Sequence, residues 1–467
     1  MLTRKIISRR HAERQELTRP IRQEIRVEDD RILARYKVGH VHYMIYLDEG
    51  RKPRLVFKEP REPSKDAINE IIANLREPRT PEEEYYINKK KSGYGPLYPL
   101  IIDPHIEEIA VEGPGRTIAV MHKLYPSRWI DVDMVLTSQE ADSLAIQVAR
   151  KARRMISIAV PYAEGITEEG HRVAISFSRE ISRFGSSLVI RKYPDKPVTI
   201  ADLIASRVLS PLMAAYLWIL VEAQSFLIII GNMGAGKTTL LQSIAGLIPP
   251  FNRVITIEDT PELRLMNPHW DSLITRPRPP GEEIEEVDLE ALLKFALRRR
   301  AEYIIVGEVR GREAKLLAQA AASGHGSMTT FHADSPEGAI LRLRLDPINL
   351  PPLFLRIITG FIHVRRIPVY GGKAKRRIIA VTEVDGDELI DIFTWEPHAD
   401  SFTPNKPEEV AEKSIKLEEA WKKLGAPHES VIDELDERAK LLEAAAGLTP
   451  EEFYSRIAMY YTAKMGI

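Results

Sequence analysis

The chain contains no cysteine, which excludes disulfides and thiolate metal sites. It also carries almost no net charge, −1 at pH 7, so no global field draws it to nucleic acid. A long uninterrupted apolar run is missing too. The most apolar stretch, residues 212–230, contains Glu222, Gln224 and Ser225, and reads as a helix running into a core strand rather than a membrane span. The N-terminal "MLTRKIISRRHAERQ" has no apolar centre and is not expected to be a secretory signal. What remains is 467 residues, 44% hydrophobic and 28% charged, the balance of a soluble, cytoplasmic, multidomain protein.

The most informative stretch is "GNMGAGKTTL", residues 231–240. Gly231, Gly236, Lys237 and Thr238 fill the fixed positions of G-x-x-x-x-G-K-[ST]. "SFLIII" before it reads as a buried strand, and "TTLLQSIAGLI" after it reads as a helix. Glycines at 231, 234 and 236 let backbone N–H groups of the loop face a phosphate, and the helix directs its positive end to the same place. Asn232, Met233, Ala235 and Thr239 complete the candidate phosphate loop. Lys237 is expected at the β- and γ-oxygens, and the Thr238 hydroxyl at Mg²⁺. A glycine turn that only reversed the chain would leave Lys237 and Thr238 without a reason.

Residues 1 to about 30 are charged and aperiodic, and read as an arm. "RILARYKVG", "HVHYMIYLD" and "PRLVFKE" alternate as strands do. A helix is expected over residues 64–76, followed by a linker at "EPRTPEEE". Residues 85–192 read as an α+β unit with strands "EEIAVEG", "TIAVMHK", "RVAISFS" and "SSLVIRKY". Its main helix opens at a capping box, Thr137 to Glu140. "YPDKPVT" reads as a proline-bounded hinge. Strands then alternate with helices as in a parallel, helix-covered sheet: "SFLIII", "RVITIED", "YIIVGE" and "SMTTFHA". A hairpin turns at Asp385-Gly386. From about Asn405 the chain is charged and helical, a small cap.

Three further stretches are expected at the same sheet edge as the glycine loop. "VITIEDTPEL" offers Glu258, Asp259 and Glu262. "YIIVGEVRGREA" ends an apolar strand at Gly307-Glu308. "GHGSMTTFHADS" sets His325 and His332 around a strand. Phosphoryl transfer needs a carboxylate to orient water, for which Glu262 is the first candidate and Glu258 the alternative. Glu308 suits Mg²⁺ through water. Positive charge for a γ-phosphate could come from Arg276, Arg278, Arg298, Arg299, Arg300, Arg310 or Arg312 in the core. Arg172, Arg179, Arg183 or Arg191 in the preceding unit could also supply it, so a clamp from another domain or subunit fits the chemistry. Read singly, each of these arginines is an ordinary surface or salt-bridge residue.

Taken together, the glycine loop, the acidic "TIEDTPEL", the strand ending "VGEVRGREA" and the histidine box "GHGSMTTFHAD" resemble one superfamily. It is the secretion ATPases of type II secretion, type IV pili and the archaellum, and the likeness is to the archaeal branch. "GYGPLYPLIIDPHIEEIAVEGPG", "SSLVIRKYP" and "AAYLWILVE" carry that likeness, which covers residues 85–397. The resemblance implies an α/β fold: a RecA-like P-loop core preceded by an α+β PAS-like domain. It divides the chain at 1–80, 81–195, 196–404 and 405–467. It implies a homohexamer hydrolysing ATP with Mg²⁺, attached to a polytopic membrane platform protein. The bacterial members often carry a tetracysteine zinc module, a departure here because a chain without cysteine cannot form it, so no zinc is expected; the near-zero net charge argues against nucleic acid. By the same resemblance Lys237 and Thr238 are Walker A residues, Glu262 the catalytic glutamate, Glu308 the Walker B glutamate, and His325 and His332 the histidine box. Arg172 and Arg191 fit the arginines that reach the γ-phosphate, with Arg183 a further candidate. Residues 1–80 match nothing in the family's pattern. The rival readings are a conjugation or tight-adherence secretion ATPase and, from another class, a RecA-like nucleic-acid translocase.

Overall fold

The computed structural model describes residues 29–74, 76–125, 128–193, 196–276, 278, 285–369, 374–425 and 430–465. The chain forms two compact units, Met1–Asp195 and Lys196–Ile467. Nearly all of the expected N-terminal arm, and Pro194 and Asp195 of the expected hinge, lie outside the described residues.

The first unit is built on one nine-stranded sheet. Its strands are β1 (Ile32–Val38), β2 (Val41–Leu47), β3 (Pro53–Lys58), β4 (Ile106–Val111), β5 (Thr117–His122), β6 (Trp129–Val135), β7 (Tyr162–Ile166), β8 (Arg172–Ser176) and β9 (Ser187–Arg191). Their order is β1-β2-β3-β6-β5-β4-β9-β8-β7. The three early strands therefore continue the sheet of the α+β unit. Arg54 of β3 is in register with Asp131 of β6. Tyr46 and Arg54 both donate to the Asp133 carboxylate on β6, at 2.7 and 2.6 Å. The helix Ser138–Lys151 opens at the expected capping box, in which Thr137 and Glu140 exchange hydrogen bonds. It buries Leu144, Ala145 and Val148 against the sheet. The expected linker instead starts a helix, Pro81–Ser92, because Thr80 caps it and Arg76 grips Glu83 through two hydrogen bonds of 2.9 and 2.8 Å.

The second unit holds the other nine-stranded sheet. Its strands are β10 (Phe226–Ile230), β11 (Val254–Glu258), β12 (Trp270–Ile274), β13 (Tyr303–Glu308), β14 (Gly326–Phe331), β15 (Gly360–Ile367), β16 (Lys375–Asp385), β17 (Glu388–Glu396) and β18 (Ser401–Thr403). The order is β12-β11-β13-β14-β10-β15-β16-β17-β18, parallel through β15 and antiparallel from there on. β10 and β11 are buried at every position because helices cover both faces, so each reads as a continuous apolar run. Parallel pairing delivers the loops that follow β10, β11, β13 and β14 to one edge.

The helix Pro211–Glu222 buries ten consecutive residues, Leu212 to Val221. A helix apolar on all sides needs cover on all sides. Part of that cover is C-terminal: Leu435, Leu442, Phe453, Ile457 and Tyr461 share its core. Trp218 donates to the Tyr461 hydroxyl at 2.8 Å. Arg438, buried, reaches Glu222 at 2.5 Å and Glu434 at 2.8 Å. The C-terminal helices are thus a layer of the second unit rather than an added cap. No helix among the described residues is long and apolar enough to cross a membrane.

Candidate functional site

β10 stops at Ile230 and the chain enters the glycine loop. Gly231 has φ +153°, and a Cβ there would lie 2.2 Å from the Val364 carbonyl oxygen. That carbonyl belongs to β15, which runs on beyond the end of β10: Ile230 is in register with His363, and four residues of β15 follow. Glycine at 231 is thus required by close approach of two backbones. Gly234 and Gly236 turn the loop with φ +73° and +96°. Helix Lys237–Ala245 begins directly after Gly236, with no side-chain cap on its first N–H groups. Those groups are left to an anion at the mouth of the loop.

Lys237 is buried, and its ammonium donates to the carbonyls of Gly231 at 3.0 Å and Asn232 at 3.2 Å. Burial lowers its pKa, and the carboxylates of Glu308 and Glu262 act in the opposite sense. Both acids brought in by the acidic box and the β13 end are therefore within electrostatic reach of the loop lysine. Thr238 is half-buried at the first turn of the helix. Asn232, Met233 and Thr239 are exposed around the mouth, and Ala235 is buried beneath it.

Glu308, at the end of β13, has Arg310 2.6 Å from one oxygen and His332 Nε2 3.0 Å from the other. His332 Nδ1 stands 3.2 Å from the Lys237 ammonium. Burial, followed by the charge of Lys237, lowers the His332 pKa and favours the neutral imidazole. A continuous line, Lys237–His332–Glu308–Arg310, thus crosses the ends of β10, β14 and β13.

Glu258, at the end of β11, is buried. One of its carboxyl oxygens accepts the backbone N–H of Glu262 at 2.9 Å and of Leu263 at 3.0 Å. The other is buried with no hydrogen-bond partner among the described residues. Burial pushes the carboxyl up to about 7. Gly307 makes room for it, since a Cβ there would lie 3.1 Å from Glu258 Cγ. Glu258 therefore holds the backbone that carries Glu262, which itself is half-buried. The structure thus places Glu258 beneath the acidic box, with its contacts made to the backbone of Glu262 and Leu263.

The two histidines of the box separate. His332 follows β14 at the glycine-loop edge, whereas His325 precedes β14 at the other end, within the field of Glu302. Six residues of strand at about 3.3 Å each divide them. The structure does not bring His325 to the cradle. Arg172 and Arg191 belong to the first unit, in register with one another on β8 and β9, and Arg191 lies 3.7 Å from Glu108. Of the core arginines, Arg310 is at the cradle, Arg299 pairs with Asp271 at 2.8 Å, and Arg276 bonds the Glu285 carbonyl at 3.0 Å. The sequence reading missed Arg376 of β16, whose side chain lies against Gly236. No local signal marked it, because its position depends on the pairing of β15 with β16.

The donor set fits a nucleotide and a hard divalent cation: a hydroxyl at an uncapped helix start, the Glu308 carboxylate at the end of β13, and the Lys237 ammonium in the glycine loop. The family model described as "Type II/IV secretion system protein" matches residues 90–346. The chain belongs to that family. An uncharacterised protein of Methanocaldococcus jannaschii is 35% identical over 378 residues, covering 78% of this chain and 67% of the relative. The type IV secretion system protein VirB11 of Brucella suis is 31% identical over 277 residues, covering 54% of this chain and 75% of the relative. The crystal structure of that VirB11 ATPase in complex with sulphate aligns at 27% identity, with a TM-score of 0.31, over 63% of this chain and 97% of the other.

Proposed function

We propose that this chain is the subunit of a homohexameric motor that hydrolyses ATP with Mg²⁺. The motor drives assembly or secretion of pilin-like subunits through a polytopic membrane platform protein. The protein would be cytoplasmic, attached peripherally to the membrane through that partner. The observation that carries the reading is the meeting of Lys237, His332 and Glu308 beside an uncapped helix start, with Glu262 within the field of Lys237. In this reading the second unit is a RecA-like core, and the α+β sheet before it includes a PAS-like domain.

Each residue has a task that its surroundings support. Lys237 and the loop N–H groups hold the β- and γ-phosphates. Bound Mg²⁺ neutralises phosphate charge; the Thr238 hydroxyl and, through water, Glu308 would hold it. Glu262 orients the attacking water, and Glu258 keeps the Glu262 backbone in place. Neutral His332 links Glu308 to the loop lysine. Arg172 and Arg191 are the candidates for countering charge at the γ-phosphate. The test is phosphate release from ATP by the purified chain, with oligomeric mass recorded. Mg²⁺-dependent release in hexamer fractions supports the reading, and no release from an assembled hexamer refutes it.

A second reading, a conjugation or tight-adherence secretion ATPase with different cargo, is favoured by the similarity to a type IV secretion protein. A nucleic-acid translocase is disfavoured by the net charge of −1.

A further inference from the structure

β15 and β16 form a hairpin flank beside the glycine loop. Four residues pair across it as Val364 with Ile378, Arg365 with Arg377, Arg366 with Arg376, and Ile367 with Lys375. The two arginines of β16 face opposite sides and have different fates. Arg377 is buried and neutralised: its guanidinium bonds both oxygens of Asp400, at 2.8 and 2.9 Å. Arg376 is exposed and has no carboxylate in ion-pair distance among the described residues. Its side chain lies across the open side of Gly236, where a Cβ would stand 3.1 Å from its Cδ and 3.4 Å from its Nε.

Two points make that placement informative. Arg366 stands directly opposite Arg376, so this flank carries two guanidinium side chains at opposed positions. Among the described residues at the cradle, Lys237 lies in the field of Glu308 and Glu262, and Arg310 pairs with Glu308. A polyphosphate is stabilised by a further guanidinium beside these groups and Mg²⁺. The Val364 carbonyl packed on Gly231 keeps this flank of the sheet against the loop, so Arg376 is presented by a rigid element.

We propose that Arg376 is a nucleotide-binding residue whose guanidinium contacts the phosphates common to ATP and ADP, supplied in cis by the antiparallel edge of the sheet. This rests on the nucleotide reading above and adds a ligand-contacting residue to it. It differs from the arginines of the first unit, whose proposed task concerns the γ-phosphate alone.

The experiment is calorimetric titration of ADP, and separately of ATP with Mg²⁺, into the full chain and into Arg376→Ala and Arg376→Lys. Arg376 is exposed, so both variants should melt with the parent. The expected result is about tenfold weaker binding of both nucleotides by Arg376→Ala, the weight of one solvent-accessible charge-assisted hydrogen bond. Arg376→Lys should recover part of the loss, since the charge is kept and the planar fork is not. Unchanged ADP affinity in Arg376→Ala, with the parent binding normally, overturns the proposal and leaves the glycine-loop reading intact. Loss for ATP but not for ADP would also overturn it, because the contact would then be with the γ-phosphate. A parent chain that binds neither nucleotide would defeat the nucleotide reading itself.

Discussion

Glu258 makes a prediction whose size follows from its burial. Its carboxyl is pushed from 4.5 up to about 7 in the folded protein, chiefly by desolvation. Between those two pH values the folded chain holds a proton that the open chain has released. Stability of this region therefore falls as pH rises through that window, and the loss is complete above the folded pKa. At 1.36 kcal/mol per tenfold change, the full cost is about 3 kcal/mol, an upper figure. Glu258→Gln keeps an oxygen to accept the N–H groups of Glu262 and Leu263 but cannot ionise. Amide hydrogen exchange over residues 254–265, corrected for intrinsic rates, reports the opening free energy. Protection in the parent should drop relative to Glu258→Gln by up to about 100-fold between pH 5 and pH 8. Equal pH dependence in the two proteins would refute the reasoning, since the buried carboxyl would then not be titrating against the fold.

Gly231→Ala should abolish nucleotide binding, measured by calorimetry, and lower the melting temperature, because its Cβ would enter the Val364 carbonyl. His332→Ala should weaken ATP binding several-fold in the same assay, about 1 kcal/mol for a lost hydrogen-bonding partner. His325→Ala should leave it unchanged, as that residue lies at the far end of β14. Arg438→Met should destabilise the second unit by about 3 to 5 kcal/mol, read by thermal unfolding, because Glu222 and Glu434 would lose their buried cation.

Local chemistry was legible in the sequence and long-range pairing was not. The glycine loop announces itself because its strand, turn and helix are contiguous, and Glu308 was found because β13 is an apolar run ending in a carboxylate. β15 went unread: "GFIHVRRI" ends in two arginines and lacks clean alternation, yet its Val364 carbonyl shapes the loop. With β15 missing, Arg376 had no visible reason to be near Gly236. β6 and β7 were also unread, and with them the join of β3 to β6 that makes one sheet of the first unit. The charged C-terminal segment read as an added cap because Arg438 looks like a surface residue until Glu222 and Glu434 are seen around it. The histidine box read as one site because sequence proximity hides the length of a strand.

In the proposed mechanism Glu262 positions water over a nucleotide held by Lys237. ATP turnover and ATP affinity of Glu262→Gln beside the parent, with oligomeric mass recorded for both, test it directly. Affinity and assembly should be unchanged, with turnover reduced by about 100-fold or more. Full turnover in Glu262→Gln would contradict it and shift the role to Glu258 or Glu308.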